Sequence, residues 1–242
     1  MNIIKTPNSA SLGQAAGKEA GKLITDAIER NGEANIILAT GTSQFETIKQ
    51  LIKEDIDWSK VTMFHLDEYI ALPVTHPASF RKYLKERFLA CVPPLKAVYL
   101  INGETDPEAE RKRLGDLISK HPIDVALVGI GENGHLAFND PPADFDTEEP
   151  YLIVHLDAQC RLQQLGEGWF TAMDEVPTQA ISMSVKQICK SKHIICSVPD
   201  ARKAQAVKDS LQQQLSNNYP ASILQRHPSC SFYLDNDSAS LL

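Results

Sequence analysis

Two acidic residues and a histidine follow short apolar runs, in positions where a folded chain could transfer protons. Asp67 comes after the run 61–65, and His135 comes after the run 125–128 and a glycine-rich turn. A histidine near neutral pKa can take and return a proton, and Asp140 lies close enough along the chain to orient or charge-stabilise the ring. In a pocket, Asp67 would act as a base towards a proton on carbon. The alternatives are a solvated loop acid and a histidine satisfied within its own loop.

The turn that carries His135 contains three glycines, which permit backbone angles or close approaches that a Cβ would forbid. They are Gly129, Gly131 and Gly134. Their spacing also fits the dinucleotide fingerprint G-x-G-x-x-G. That fingerprint should open the first βαβ unit, whereas this segment lies mid-chain and continues into the Asn-Asp-Pro-Pro stretch at 139–142. We therefore interpret it as a ligand-facing turn of another kind, with an ordinary loop as the alternative.

A second turn has the features of a phosphate-binding site. It comprises Thr40, Gly41, Thr42 and Ser43. The turn follows an apolar run and precedes a predicted helix at 45–53, where free N–H groups and the helix dipole favour an anion. Two of its hydroxyl groups could add donors, although serine and threonine are also common helix caps.

A pair of cations stands at the start of another predicted helix, after the apolar run 193–198. These residues are Arg202 and Lys203. The helix dipole opposes a cation at this end, so an anion between the lysine and the helix would be favourable. Either residue is therefore a candidate phosphate partner, and the alternative is a pair of solvated surface charges.

The order of apolar runs and helical repeats predicts an α/β domain with a mostly parallel sheet. Strands are predicted at 35–39, 61–65, 98–101, 125–128 and 193–198, an edge strand at 151–156, and helices at 9–30, 45–53 and 107–120. In such sheets ligands bind beyond the carboxyl ends of the strands, where the candidate residues fall. No repeat or linker divides the chain, so we expect residues 1–242 to form a single domain. The polar, glycine-containing segment 157–170 is either a lid over the pocket or a plain surface helix and loop.

Composition excludes several classes of function. The formal net charge of −7 leaves no basic face for nucleic acid. No apolar run is long enough to span a bilayer and the first residues lack a signal-peptide core, so we expect a cytoplasmic protein without membrane contact. The five cysteines are odd in number and form no C-x-x-C pair, which favours reduced thiols over a metal site.

Taken together, the motifs resemble those of the glucosamine-6-phosphate deaminase family, within the wider group that shares its fold with 6-phosphogluconolactonases. The motifs occur in family order over almost the whole chain. They are Ala-Thr-Gly-Thr-Ser at 39–43, Phe-His-Leu-Asp-Glu-Tyr at 64–69 with His-Pro at 76–77, Gly-Ile-Gly-Glu-Asn-Gly-His-Leu-Ala-Phe-Asn at 129–139, and Arg-Lys-Ala at 202–204. The resemblance implies a Rossmann-like three-layer α/β/α fold with a mostly parallel central sheet.

The resemblance also implies an activity: conversion of glucosamine 6-phosphate, or of a close epimer such as galactosamine 6-phosphate, into a ketohexose 6-phosphate and ammonia. His135, oriented by Asp140 and Asn133, would open the sugar ring, and Asp67 would move the C2 proton to C1. The phosphate would bind the turn at 40–43 together with Lys203. Neither a metal nor an organic cofactor is implied.

The chain differs from the family pattern at several positions. The family commonly has Asp at the position of Asn133 and Glu at that of Asp140. A lid arginine of the family aligns near Trp169, with Arg161 as a candidate replacement, so both are predicted lid contacts. Allosteric members bind a second sugar phosphate through a serine- and arginine-rich stretch, whereas residues 144–149 here are acidic. We therefore expect no sugar-phosphate effector.

Two other functions stay open at this stage. A 6-phosphogluconolactonase-like hydrolase would use His135 but would have no need of Asp67. A non-catalytic sensor would bind a sugar phosphate without turnover. Because apolar residues in an interface look like those in a core, the sequence is compatible with a monomer and with a homo-oligomer.

Overall fold

The computed structural model describes residues 1–242 and contains ten strands and seven α-helices. The strands are β1 (Asn2–Thr6), β2 (Ala34–Leu38), β3 (Val61–His65), β4 (Asp67–Tyr69), β5 (Ala97–Tyr99), β6 (Val125–Val128), β7 (Tyr151–His155), β8 (Gln179–Met183), β9 (His193–Val198) and β10 (Cys230–Asp235). The helices are α1 (Ser9–Asn31), α2 (Phe45–Leu51), α3 (Phe80–Leu84), α4 (Pro107–Ile118), α5 (Ala158–Gly166), α6 (Val185–Cys189) and α7 (Ala204–Gln212). No helix combines the length and apolar character that a membrane span requires.

Seven strands form a fully parallel central sheet in the order β1-β10-β9-β6-β2-β3-β5. The side chains of successive residues in each inner strand point to opposite faces of this sheet. In β2, for example, Ile36 and Leu38 pack on the side of α1, while Ile37 packs on the side of α4. Because both faces are covered by helices, the inner strands are mostly apolar. The predicted three-layer α/β/α arrangement is therefore confirmed.

A second, smaller sheet was not indicated by the sequence. It is antiparallel, with the strand order β4-β8-β7, and β7 lies at its edge as the sequence predicted. Strand β4 has only three residues and two of them are acidic, so no apolar pattern marks it. Its pairing with β8 fixes Asp67 opposite Ser182. The small sheet thus holds the start of β4 just beyond the end of β3.

Helix α1 packs unusually closely on α2 through a row of glycines at 13, 17 and 21. A Cβ on Gly17 would come within 2.6 Å of the Cβ of Gln50 and 2.7 Å of the carbonyl oxygen of Thr47. Only glycine permits this approach of two backbones. Since α2 begins directly after the turn at 40–43, the contact helps to position that turn.

Candidate active site

A cavity opens beyond the carboxyl ends of four neighbouring strands of the central sheet, namely β9, β6, β2 and β3. It has a volume of about 590 Å³ with its mouth included. The segments that follow these strands line its walls, and α5 contributes a further side. This is the place where parallel α/β sheets bind ligands.

The turn after β2 forms one part of the wall. The cavity is lined by all four of its predicted residues, Thr40, Gly41, Thr42 and Ser43. Gly41 has a φ of 90°, a conformation that favours glycine, and its carbonyl oxygen accepts a hydrogen bond of 3.2 Å from the hydroxyl of Tyr83. Gly129 approaches from β6, where a Cβ would lie 2.9 Å from the Oγ of Ser43. The turn is therefore held from two sides.

Lys203 lines the same cavity, and it is buried. Burial lowers the pKa of its ammonium group, and the more distant carboxylates of Glu167 and Glu132 partly oppose this effect. No protein carboxylate lies within ion-pairing distance of its Nζ, so the lysine presents an unneutralised charge. Arg202 is different, because its guanidinium binds Asp200 at 2.8 Å and Glu132 at 3.4 Å and lies outside the cavity wall. Of the two candidate cations, only the lysine faces the cavity.

Asp67 lies at the start of β4 and lines the cavity. Burial and the neighbouring Glu68 raise the pKa of its carboxyl to about 8. No hydrogen bond or ion pair from the protein compensates for this burial. An acidic group held in this state is poised to exchange protons near neutral pH.

The adjacent Glu68 is also buried, but hydrogen bonds from the protein compensate for the burial of its carboxylate. Its Oε2 accepts hydrogen bonds from the hydroxyl of Ser79 at 2.8 Å and from the backbone and Nε of Arg81 at 2.9 and 3.1 Å. This carboxylate therefore ties β4 to the start of α3 and does not reach the cavity lining. Glu68 is therefore a structural carboxylate, whereas Asp67 is left free to react.

His135 lines the cavity from the turn after β6 and is buried. The backbone of Gly131 lies against its imidazole ring, so that a Cβ at this position would overlap the ring. Gly131 also donates its N–H to the carbonyl oxygen of His135 at 3.0 Å. The glycine-rich turn therefore folds back over the histidine and fixes its ring.

Asp140 connects the histidine to the neighbouring segments. Its Oδ1 lies 3.1 Å from Nδ1 of His135 and accepts a hydrogen bond of 3.0 Å from the side chain of Asn133. Its Oδ2 accepts a hydrogen bond of 3.2 Å from the backbone of Asp157, which caps α5. Burial raises the pKa of Asp140, but His135 and Asn133 lower it by more, so the carboxyl has a lowered pKa. Asn133 also accepts a hydrogen bond from the backbone of His135 at 3.1 Å.

The structure places the two predicted lid contacts outside the cavity lining. The guanidinium of Arg161 donates to the carbonyl oxygens of Met173 and Val176 at 2.6 and 2.8 Å. The indole of Trp169 donates to Glu167 at 3.1 Å. In this conformation both residues stabilise the segment that follows α5.

The chain matches the family described as glucosamine-6-phosphate isomerases/6-phosphogluconolactonase over residues 7–232. It belongs to this family. Glucosamine-6-phosphate deaminase of Listeria monocytogenes serotype 4a is 38% identical over 244 residues, and the alignment covers the whole of both chains. The corresponding protein of Streptococcus pneumoniae serotype 4 is 35% identical over 243 residues, again with full coverage.

Solved structures of family members agree with the fold. A monomeric glucosamine-6-phosphate deaminase superposes with a TM-score of 0.89 at 30% identity and full coverage of both chains. The 6-phosphogluconolactonase of Trypanosoma brucei superposes with a TM-score of 0.81 at 18% identity, covering 100% of this chain and 98% of its own. At that identity the second match shows a shared fold alone.

Within this family site, α5 contributes residues that the sequence analysis did not assign. Gln163, Gln164 and Glu167 line the cavity. The Oε1 of Gln163 accepts a hydrogen bond of 2.9 Å from the backbone of Glu132, which joins α5 to the turn of His135. Helical spacing could have indicated them, because positions 163, 164 and 167 fall on one face of a helix.

Proposed function

We propose that this protein is a glucosamine-6-phosphate deaminase that acts in amino sugar catabolism. The observation that carries the proposal is a single cavity that holds an uncompensated Asp67, His135 with its carboxylate partner, and the free ammonium of Lys203. This set provides a base, a proton shuttle and an anion site. Full-length similarity to glucosamine-6-phosphate deaminases supports the same activity.

His135 would act first, by opening the pyranose ring. Asp140 lies at Nδ1 of its imidazole, which favours the tautomer with hydrogen on Nδ1 and a free electron pair on Nε2. The Nε2 atom could then accept the proton of the anomeric hydroxyl and return it to the ring oxygen. Asn133 would hold Asp140 in place for this step, without adding charge.

Asp67 would act on the open sugar. Its carboxylate would remove the C2 proton, giving an enolamine, and would return that proton to C1. Hydrolysis of the resulting C2 imine by water releases ammonia and leaves fructose 6-phosphate. Because the protonated amine of the substrate carries positive charge next to C2, its binding favours the ionised form of Asp67. Holding the base and the carbon together in one cavity would supply much of the rate enhancement.

The turn of Thr40, Gly41, Thr42 and Ser43 would bind the phosphate together with Lys203. The backbone N–H groups and hydroxyls of such a turn suit phosphate oxygens, and the ammonium supplies the counter-charge. The acidic segment 144–149 supports the further proposal that no second sugar phosphate activates the protein. We also propose a cytoplasmic location and a single folding unit; five unpaired cysteines support the location.

The experiment that tests this proposal is a substrate comparison. Purified protein is given glucosamine 6-phosphate, galactosamine 6-phosphate and 6-phosphogluconolactone, and ammonia, ketohexose 6-phosphate and lactone are each measured. We expect one amino sugar phosphate to yield ammonia and ketohexose phosphate in equal amounts, while the lactone disappears no faster than in buffer. Lactone hydrolysis without ammonia release would contradict the proposal.

A further inference from the structure

At the cavity wall lies a cluster of three different metal-ligand side chains, those of the buried His135 and Cys160 and the half-buried Asp140. One ligand atom of each lies within 4.8 Å of the others. Cys160 is in the first turn of α5 and is only 1% exposed. Its thiol plays no part in the proton transfers described above, so the cluster offers chemistry that the proposed reaction does not use.

A second observation points to a ligand at this place. The Nδ1 atom of His135 is buried and makes no hydrogen bond, although the carboxylate of Asp140 lies 3.1 Å away. Buried polar atoms without a partner are uncommon in folded proteins. Nδ1 is the ring nitrogen beside the carboxylate of Asp140, and the sulfur of Cys160 belongs to the same cluster.

We propose that His135, Asp140 and Cys160 form an inhibitory binding site for a thiophilic divalent cation such as Zn²⁺. Imidazole, carboxylate and thiolate are the ligands that zinc prefers, and three protein ligands leave one tetrahedral position for water. Bond lengths of about 2.0–2.3 Å imply ligand atoms roughly 3.2–3.8 Å apart. Closing the observed cluster onto an ion therefore requires shifts of about 1 Å or less in each side chain.

Electrostatics favours a cation at this position. The thiol of Cys160 is faced by three carboxyl groups, those of Asp140, Asp157 and Asp67. Burial and these neighbours raise the pKa of the Cys160 thiol. On binding, the thiol loses its proton to solvent and the thiolate bonds to the ion. The charge of +2 is then matched by one thiolate and one carboxylate, which leaves the buried site neutral.

The consequence for activity follows from the two nitrogens of the imidazole, and it rests on the proposed function. A cation on Nδ1 of His135 forces the neutral ring to carry its hydrogen on Nε2. The Nε2 atom then has no electron pair to accept the anomeric proton. The cluster is enclosed beneath the first turn of α5, which carries Cys160.

The binding itself is tested with Co²⁺, which substitutes for Zn²⁺ and gives a thiolate charge-transfer absorption band. Wild-type protein is compared with Cys160→Ala and with the matched control Cys91→Ala, which removes an exposed thiol elsewhere. We expect the band in the wild type and the control and its loss in Cys160→Ala. The absence of the band in the wild type, or its persistence in Cys160→Ala, would overturn the proposal whatever the substrate of the protein is.

Inhibition is tested separately, after preincubation with Zn²⁺ and after addition of a chelator. We expect Cys160→Ala to keep its activity in chelator and to need at least about tenfold more Zn²⁺ for half inhibition, while Cys91→Ala follows the wild type. Cys160→Ser serves the same comparison if the alanine variant does not fold. Equal sensitivity of all variants to Zn²⁺ would contradict the inhibitory role.

Discussion

The backbone of Gly131 packs against the imidazole ring of His135 so closely that any side chain on the glycine would displace the ring. The arrangement explains why a glycine stands at this point of the turn. It also restrains the imidazole ring, whose Nδ1 lies 3.1 Å from the carboxylate of Asp140. The position of the proposed proton shuttle therefore depends on a residue with no chemistry of its own.

Gly131→Ala should consequently lose activity while the protein stays folded. Displacement of a reacting group by about 1 Å can cost about 100-fold in rate, and we expect a loss of that order in kcat/KM. Gly166→Ala is the matched control, because a Cβ at that position meets no atom within 4 Å. Circular dichroism checks the fold of both variants. Full activity of Gly131→Ala would show that the ring need not stay where the structure has it.

Lys203 should contribute mainly to substrate binding. Its ammonium is the one uncompensated cation that lines the cavity. Charge-assisted hydrogen bonds are worth about 1.5–3 kcal/mol, so Lys203→Met should raise KM for a sugar phosphate about 10–100-fold. Arg202→Met removes a neighbouring cation that is already paired with Asp200 and Glu132, and it should change KM less than about threefold. Similar effects in both variants would point to general electrostatic attraction instead.

The buried carboxyl of Asp67 should destabilise the folded protein, and this destabilisation should increase with pH. Its pKa is about 8 in the folded chain, against an ordinary value of 3.8. Between these values the unfolded chain has released the proton and the folded chain still holds it, so stability falls as pH rises through this window. Asp67→Asn mimics the protonated form and should raise the Tm by about 2–8 °C near pH 8.5 and by less near pH 5.

Thermal unfolding at the two pH values checks this expectation. Asp116→Asn, which changes an exposed carboxylate on α4, is the control and should leave the Tm nearly unchanged at both. A lower Tm for Asp67→Asn near pH 8.5 would mean that the carboxylate is compensated in solution.

The glycine row of α1 gives a prediction about stability alone. Alanine normally stabilises a helix by about 0.5–1 kcal/mol relative to glycine, and Gly115→Ala in α4 should show this gain because its Cβ meets only Pro150 at 3.7 Å. Gly17→Ala should do the opposite, since overpacking against α2 costs about 1–3 kcal/mol. Urea unfolding of both variants measures the difference. A stabilising Gly17→Ala would show that the two helices can separate at little cost.

Five of the seven strands of the central sheet could be predicted because they leave local signals. Strands β3 and β9 are mainly apolar runs of five and six residues, and the bounds predicted from the sequence match those in the structure. Strand β4 leaves no such signal, because its three residues are held by pairing with β8, more than a hundred positions away. Partners this distant cannot be inferred from a local pattern.

The candidate site likewise has residues that the sequence places correctly and residues whose contacts depend on the tertiary fold. The rule for parallel sheets brings Asp67, His135 and Lys203 together from three separate strands, as expected. The side chain of Arg161 instead binds carbonyl oxygens of Met173 and Val176, a choice decided by how the segment after α5 folds back. The proposed role of Cys160 depends on its closeness to His135 and Asp140, which no spacing in the sequence encodes.

The most direct test of the proposed activity compares wild type with Asp67→Asn in the simultaneous release of ammonia and fructose 6-phosphate from glucosamine 6-phosphate. We predict equal amounts of both products from the wild type and a loss of at least about 1,000-fold in kcat for the variant, with KM changed little, since the exchange removes the base and keeps its shape. Undiminished ammonia release by Asp67→Asn would contradict the assignment of Asp67 as the base. No ammonia from the wild type would contradict the activity itself.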